Sequence, residues 1–307
     1  ATDNIVIVAA TRTAMGGFMG GLTDVDATVL GATAIKAALE QAGIKGDKVS
    51  EVIMGNVLPA GLGQAPARQA TLKAGLPLSA GATTINKVCG SGLKAVMLAS
   101  DLLKAGSADV VVAGGMESMS NAPYLLPKAR SGYRMGHGEI KDHMMLDGLE
   151  NAYDGKAMGC FAQGTADEKG ITREQMDAFA VQSTTRAQQA IASGAFANEI
   201  TPVTFQTRKG EMTFAVDEQP GNAKIDKIPS LRPAFAKDGT ITAANSSSIS
   251  DGAAALVLMR ESDAKAQGAK PLARVVAHAT NSMEPALFTV APVGAMQKVL
   301  QKAGWDK

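Results

Sequence analysis

Cysteine is scarce in this chain: Cys89 and Cys160 are the whole complement. Two are too few for a disulfide framework and lack the paired spacing of a zinc site, so the expected compartment is reducing and no metal is expected. Aromatic residues make up only 4% of the sequence, and Lys and Arg number 30 against 29 Asp and Glu. Stacking platforms and charged grooves for nucleic acid are thereby excluded, and any anionic ligand has to be handled locally. No apolar run approaches the ~20 residues of a membrane span. The opening Ala1-Thr2-Asp3-Asn4 runs directly into Ile5-Val6-Ile7-Val8 without a basic n-region or a cleavage site, so cytoplasm is the expected address.

What is present belongs to a folded, enzyme-sized body. Hydrophobic residues are 46% and charged residues 19% of the 307, an ordinary globular balance that suits two domains or one large layered one. Short apolar runs at Ile5–Ala10, Val52–Leu58 and Asp109–Ala113 read as buried strands. Between them, Ala27–Ala42 carries Ala32, Ile35, Leu39 and Ala42 at helical spacing and stops at Gly43, a natural C-terminal cap. Gly92–Lys104 repeats the pattern and stops at Gly106. Strands separated by helices imply crossovers and a mainly parallel sheet.

The texture changes from Met116 to about Ala244, where Pro123, Pro127, Gly132, Gly136 and Gly138 punctuate a stretch poor in strand signals. It reads as an inserted loop domain with one long helix near Arg173–Ala192, introduced by Thr172 and Gln175 in capping-box spacing. Alternation then resumes: a strand at Ala253–Met259, a short helix at Ser262–Gln267, a strand at Leu272–Ala279 and a helix at Val293–Ala303 closed by Gly304. A parallel sheet would need its next strand beyond Lys307, so the last part of the architecture is expected to be incomplete over these residues.

The run Asn86-Lys87-Val88-Cys89-Gly90-Ser91-Gly92-Leu93-Lys94-Ala95 sets a cysteine between a strand-like segment and the start of a helix. Backbone N–H groups and the positive end of a helix dipole stabilise a thiolate there, while Gly90 and Gly92 leave the approach open for a substrate oxygen. The other reading of a lone cysteine is a buried, inert thiol. The local pattern divides evenly between the two.

The same run resembles the nucleophile motif of the thiolase family. Further segments match in the family's order: Arg12-Thr13-Ala14, Gly55-Asn56-Val57, Ala113-Gly114-Gly115-Met116-Glu117-Ser118-Met119-Ser120, Leu231-Arg232-Pro233-Ala234-Phe235 and Asp251-Gly252-Ala253-Ala254-Ala255. Within the family the resemblance is strongest to the short-chain acetyl-CoA acetyltransferases. It implies an α/β, layered αβαβα fold with an inserted loop domain and a second half incomplete over these residues. The implied parts are 1–118, carrying the nucleophile; 119–244, shaping the coenzyme A site; 245–271, returning to the first half; and 272–307, beginning the second.

The implied activity is condensation of two acetyl-CoA molecules to acetoacetyl-CoA, or the reverse thiolysis, through an acyl group held on Cys89. Coenzyme A would be substrate and product, with no permanently bound cofactor and no metal. The resemblance points to Ser247 as a contact with the pantetheine arm, to Ala234, Phe235, Ala243 and Ile249 as walls of the same tunnel, and to Leu149 and Met158 as its lining from the loop domain. For each, ordinary packing is the competing reading. A homodimer or homotetramer is also implied, with no nucleic acid and no membrane partner.

In the family the activating histidine, a second catalytic cysteine and an asparagine lie C-terminal to the segment matching Ala303-Gly304-Trp305, where this sequence has only Asp306 and Lys307. His137 and His143 read as solvated loop histidines, His278 as a core histidine in a strand and Cys160 as structural. Ala157, Ala244 and Ser248 depart from the biosynthetic pattern, and Asn245–Gly252 is closer to degradative 3-ketoacyl-CoA thiolases, an alternative activity. Pro220 and Lys227 stand where relatives contact the nucleotide end, so no nucleotide contact is carried over. The rival from another class is a non-catalytic module that keeps part of a coenzyme A site.

Overall fold

The apolar runs are strands because each is short, rich in Val and Ile, and bounded by turn residues. A computed structural model describes residues 2–307. Its first elements are β1 (Ile5–Arg12), β2 (Gly16–Gly17), α1 (Ala27–Ala42), β3 (Glu51–Gly55), α2 (Pro66–Lys73), β4 (Gly81–Ile85), α3 (Ser91–Ala105) and β5 (Val110–Ser118). There follow β6 (Tyr124–Leu125), β7 (Lys141–Asp142), a π-type turn at Met145–Leu149, α4 (Met158–Glu168), α5 (Arg173–Ser193), the hairpin of β8 (Val203–Thr207) and β9 (Gly210–Phe214), and α6 (Glu218–Asn222). The chain ends with β10 (Ser250–Arg260), α7 (Glu261–Ala266), β11 (Ala273–Arg274) and α8 (Ala291–Ala303).

These elements form two compact units. One comprises Ala1–Asn121, Ser193–Gln219 and Ile249–Val276; the other comprises Ala122–Ala192, Pro220–Ser248 and Ala277–Lys307. The first is built on a seven-stranded sheet in the order β11-β1-β10-β5-β3-β4, with β2 against β10. Its strands sort side chains by the period of two. Val110, Val112 and Met116 join Val52, Met54, Val257 and Met259 in a core beneath α1 and α2, whereas Val111, Ala113, Ile53 and Leu258 meet Ala95, Ala99 and Leu103 of α3. Helices cover both faces, which is why these strands read as continuous apolar runs. Each fully buried Val, Leu or Ile contributes roughly 1.5–3 kcal/mol.

The mainly parallel sheet expected from the alternation is corrected to a mixed one. β3 runs parallel to β4 and β5, but β10 runs antiparallel to both β1 and β5. Asp251 pairs with Ser118, so β10 begins where β5 ends. The chain departs and re-enters at the same end of the sheet, and the returning strand must point back. The strand expected over Leu272–Ala279 shrinks to the two residues of β11, which pair with Val6 and Ile7 at the sheet's edge.

The stretch expected to be poor in strands and to hold one long helix contains the β8–β9 hairpin and α4 as well. Val203 is fully buried, and Phe205 and Phe214 pack on the first unit's core. In the second unit α5 has the capping box its sequence announces: Thr172 N–H donates to Gln175 Oε1 at 2.9 Å, and Gln175 N–H donates to Thr172 Oγ1 at 3.2 Å. Among the described residues no helix is long and apolar enough to cross a membrane.

Candidate active site

Cys89 lies on the turn between β4 and α3, and it is exposed. The thiol is therefore not buried, in contrast to the second reading. α1 starts with Asp26, whose carboxylate accepts from the Thr28 and Val29 N–H groups. α3 instead has Gly90 as its N-cap and no side-chain cap bond. No carboxylate therefore occupies the capping position, and the first N–H groups of α3 are left without a side-chain acceptor next to Cys89 in the chain.

Two features set the turn. Val88 has φ of 48°, in the left-handed region that a β-branched residue rarely adopts. Its N–H donates to Asn86 Oδ1 at 2.8 Å, and its carbonyl accepts from Ser91 N–H at 3.1 Å and Ser91 Oγ at 2.6 Å. Beneath it, Gly55 lets α3 approach β3 closely: a Cβ there would sit 2.6 Å from Ser91 Cβ. Gly55 is in register with Gly115 of β5, whose own Cβ would meet Gly92 Cα at 3.5 Å. The glycines in the matching segments thus form the floor on which α3 starts.

The other matching segments knit the ends of these strands. Glu117 accepts from the N–H groups of Val57 and Leu58 at 2.9 and 2.6 Å and from Asn56 Nδ2 at 3.0 Å. Asp251 accepts from Ser120 Oγ at 2.6 Å and from Ser120 N–H at 3.0 Å. Burial raises the Asp251 carboxyl above the usual range, and the Ser120 bonds only partly oppose it. Arg12 is paired with Asp217 at 2.8 Å and Glu199 at 2.7 Å and lies over the Phe196 ring. Burial works to raise Asp217, but the Arg12 bonds and the Met15 N–H outweigh it and hold that carboxyl low. These polar residues hold the loops at the ends of β1, β3 and β5.

Of the residues assigned to the coenzyme A arm, Ile249 belongs to the first unit, and its carbonyl accepts from Gln219 Nε2 at 3.2 Å. Ala234, Phe235, Ala243, Ser247, Leu149 and Met158 all belong to the second. There the Phe235 ring lies directly over Gly159, the residue after Met158, at a spacing that no Cβ could share. Ala234 N–H donates to the Ile241 carbonyl at 2.8 Å, which folds 234–241 back on itself. Ala234, Ala243 and Ser247 are exposed, while Phe235, Met158 and Leu149 are half-buried.

Sequence reasoning missed the residues that hold this segment. Gln163 of α4, buried, accepts from the N–H groups of Thr240 and Ile241 at 2.9 and 3.1 Å and donates to Thr240 Oγ1 at 2.9 Å. Asn245 Nδ2 donates to Asp177 at 3.1 Å, and Asp177 accepts from Arg173 Nε at 2.7 Å. Nothing local marks Gln163 as the holder of this segment: its one nearby partner is Asp167, at 2.9 Å, and Thr240 and Ile241 lie more than seventy residues away. His143 also departs from expectation: it is 5% exposed, with Nδ1 2.5 Å from Asp147, because the π-type turn folds Asp147 back onto it. His137 is exposed, and His278 lies outside any strand because β11 stops at Arg274. Cys160 is half-buried on α4.

Comparison with known proteins accounts for the recurrence of these segments. Residues 5–262 match the model of the thiolase N-terminal domain. The chain belongs to the thiolase family. This thiolase is 55% identical over 303 residues to an acetyl-CoA acetyltransferase of Escherichia coli K12, covering 98% of the chain and 77% of that relative. It is 50% identical to an acetyl-CoA acetyltransferase of Pseudomonas aeruginosa, covering 99% and 78%. Among solved structures, the crystal structure of the Bacillus anthracis acetyl-CoA acetyltransferase superposes with a TM-score of 0.96 at 39% identity, over all of this thiolase and 78% of that chain. The layered α/β thiolase fold is thus established for this chain.

Proposed function

We propose that this thiolase is an acetyl-CoA acetyltransferase in which Cys89 is the acyl acceptor. The thiolate attacks the thioester carbonyl of acetyl-CoA, the carbon–sulfur bond to coenzyme A breaks, and the acetyl group remains on Cys89 as a thioester. A second acetyl-CoA, deprotonated at its α-carbon, then attacks that carbonyl; acetoacetyl-CoA leaves and the thiolate is restored. Thiolysis is the same path reversed. Splitting one transfer into two steps lowers each barrier. The observation that carries the reading is identity near 50% with named acetyl-CoA acetyltransferases across almost the whole chain, with Cys89 exposed at an uncapped helix start.

For the pantetheine arm the reading assigns Ser247 as the polar contact and Ala234, Phe235, Ala243, Ile249, Leu149 and Met158 as apolar walls, the chemistry a long flexible ligand needs. Residues 1–118 are assigned to the nucleophile and 119–244 to coenzyme A recognition. A homodimer or homotetramer in the cytoplasm completes it; sedimentation of the intact protein as a monomer would remove the oligomer. Two unpaired cysteines suit a reducing compartment.

Peptide mass spectrometry after incubation with acetyl-CoA tests the central claim. An acetyl group on Cys89 is expected, and an unmodified Cys89 overturns it. Faster turnover of acetoacetyl-CoA than of longer 3-ketoacyl thioesters is expected; the reverse order identifies the degradative activity. Calorimetric binding of coenzyme A without any acetyl transfer would identify a binding module.

A further inference from the structure

The turn that carries Cys89 is clamped by a hydroxyl for which acyl transfer has no use. Ser91 is 4% exposed, while Val88 and Cys89 are exposed. Its Oγ accepts the Lys87 N–H at 2.7 Å and donates to the Val88 carbonyl at 2.6 Å, so one atom ties the peptide group that precedes Lys87 to the one that follows Val88 and closes a ring around Val88's torsions. Turning Val88 out of its φ of 48° changes the spacing of those two groups and so pulls against the shared hydroxyl. A β-branched residue has a steric reason to leave it, because its Cβ crowds the backbone in the left-handed region. Asn86 Oδ1 restrains the Val88 N–H as well, but Asn86 is exposed and its bond competes with water.

We propose that Ser91 is a positioning residue for Cys89: its buried hydroxyl holds Val88 left-handed, and that torsion fixes where the chain presents the nucleophile ahead of α3. The inference deepens the Cys89 assignment and rests on it. Ser91 touches no reacting atom in this account; it acts through Val88. Without the hydroxyl, Val88 relaxes to negative φ and Cys89 leaves its exposed place ahead of α3, where a reagent reaches it.

Alkylation by iodoacetamide, followed peptide by peptide in the mass spectrometer, reads this directly, with Cys160 as internal reference. Ser91→Ala is expected to slow Cys89 about tenfold, the factor that corresponds to one buried hydrogen bond, with Cys160 unchanged. In a Val88→Gly background, where positive φ costs little, adding Ser91→Ala should change the Cys89 rate by less than about twofold. An unchanged Cys89 rate in Ser91→Ala overturns the proposal. So does an equal slowing in both backgrounds, which would make Ser91 a general support of the helix. If Ser91→Ala unfolds, both cysteines speed up together; the double variant then regains the fold and the Val88→Gly rate, and failure to do so overturns the proposal. Iodoacetamide needs no thioester. This pattern of rates with no acetyl uptake from acetyl-CoA would therefore refute the acetyltransferase reading alone, and acetyl uptake with none of these rate changes would refute the positioning role alone.

Discussion

Gly55 and Cys89 are thirty-four positions apart in sequence, yet one sets the place of the other. A Cβ at Gly55 would lie 2.6 Å from Ser91 Cβ and 2.8 Å from the Ser91 carbonyl carbon, so backbone has to give way. Gly55→Ala is therefore expected to lower stability by about 1–3 kcal/mol, read as a fall in Tm, and to slow Cys89 alkylation as α3 is pushed from its floor. Cys89→Ser separates chemistry from structure. The side chain is exposed and the exchange nearly isosteric, so Tm should hold while acetyl transfer falls by at least ~10³-fold, the size of effect that follows loss of a covalent nucleophile. Retained transfer would assign the acyl group elsewhere. Cys89 stood out because a cysteine followed by Gly90-Ser91-Gly92 at a helix start is a local pattern and the other matching segments recur in the family's order. Val88's torsion did not, because no residue type at that position announces a positive φ.

Elements differ in how far their own residues specify them. α1 and α3 were readable to within a residue or so, since Gly43 and Gly106 close them in the left-handed conformation at φ of 67° and 75°. The α5 capping box was equally plain, being made by residues three apart. α4 was hidden by Gly159 and Gly164, which weaken helix propensity, and one of those glycines is there to admit the Phe235 ring. The same helix carries Gln163, which holds the loop at Thr240 and Ile241. Gln163→Ala leaves two N–H groups without their acceptor and is expected to cost about 1–3 kcal/mol in chemical denaturation. Because that loop precedes Ala243 and Ser247, KM for acetyl-CoA should rise with kcat little changed; an unaltered KM would detach this segment from coenzyme A recognition.

At the scale of the whole molecule, Arg12 fastens the returning segment 193–219 to β1 through Glu199, Asp217 and Phe196. Asp217 and Asp26 both have carboxyls held below their ordinary 3.8. Groups depressed in this way add stability that is complete above 3.8 and lost as pH falls through the folded value. Asp251, raised by burial, acts in the opposite sense and costs stability as pH rises above its ordinary value. Arg12→Leu strands Asp217 at 10% side-chain exposure, so a loss of about 3 kcal/mol at neutral pH is expected. Its stability should also fall less steeply in acid than that of the native protein, because the depressed carboxyl is gone. Urea unfolding of both proteins across the acid range measures the two slopes, and parallel slopes would contradict the assignment.

The sequence by itself determined the helix ends, the buried strands and the family, and singled out Cys89 as the candidate nucleophile, because each depends on chemistry between neighbours or on segments that match a family in fixed order. Tertiary structure alone decided that β10 runs against β5, that Gly55 lies under Ser91, that His143 is buried against Asp147, and that Gln163 holds a loop 77 residues away. Except for the His143 turn, these joins link residues tens to more than a hundred positions apart. Their energy comes from close packing and from the pairing of buried polar groups, and neither exists until the chain has closed on itself.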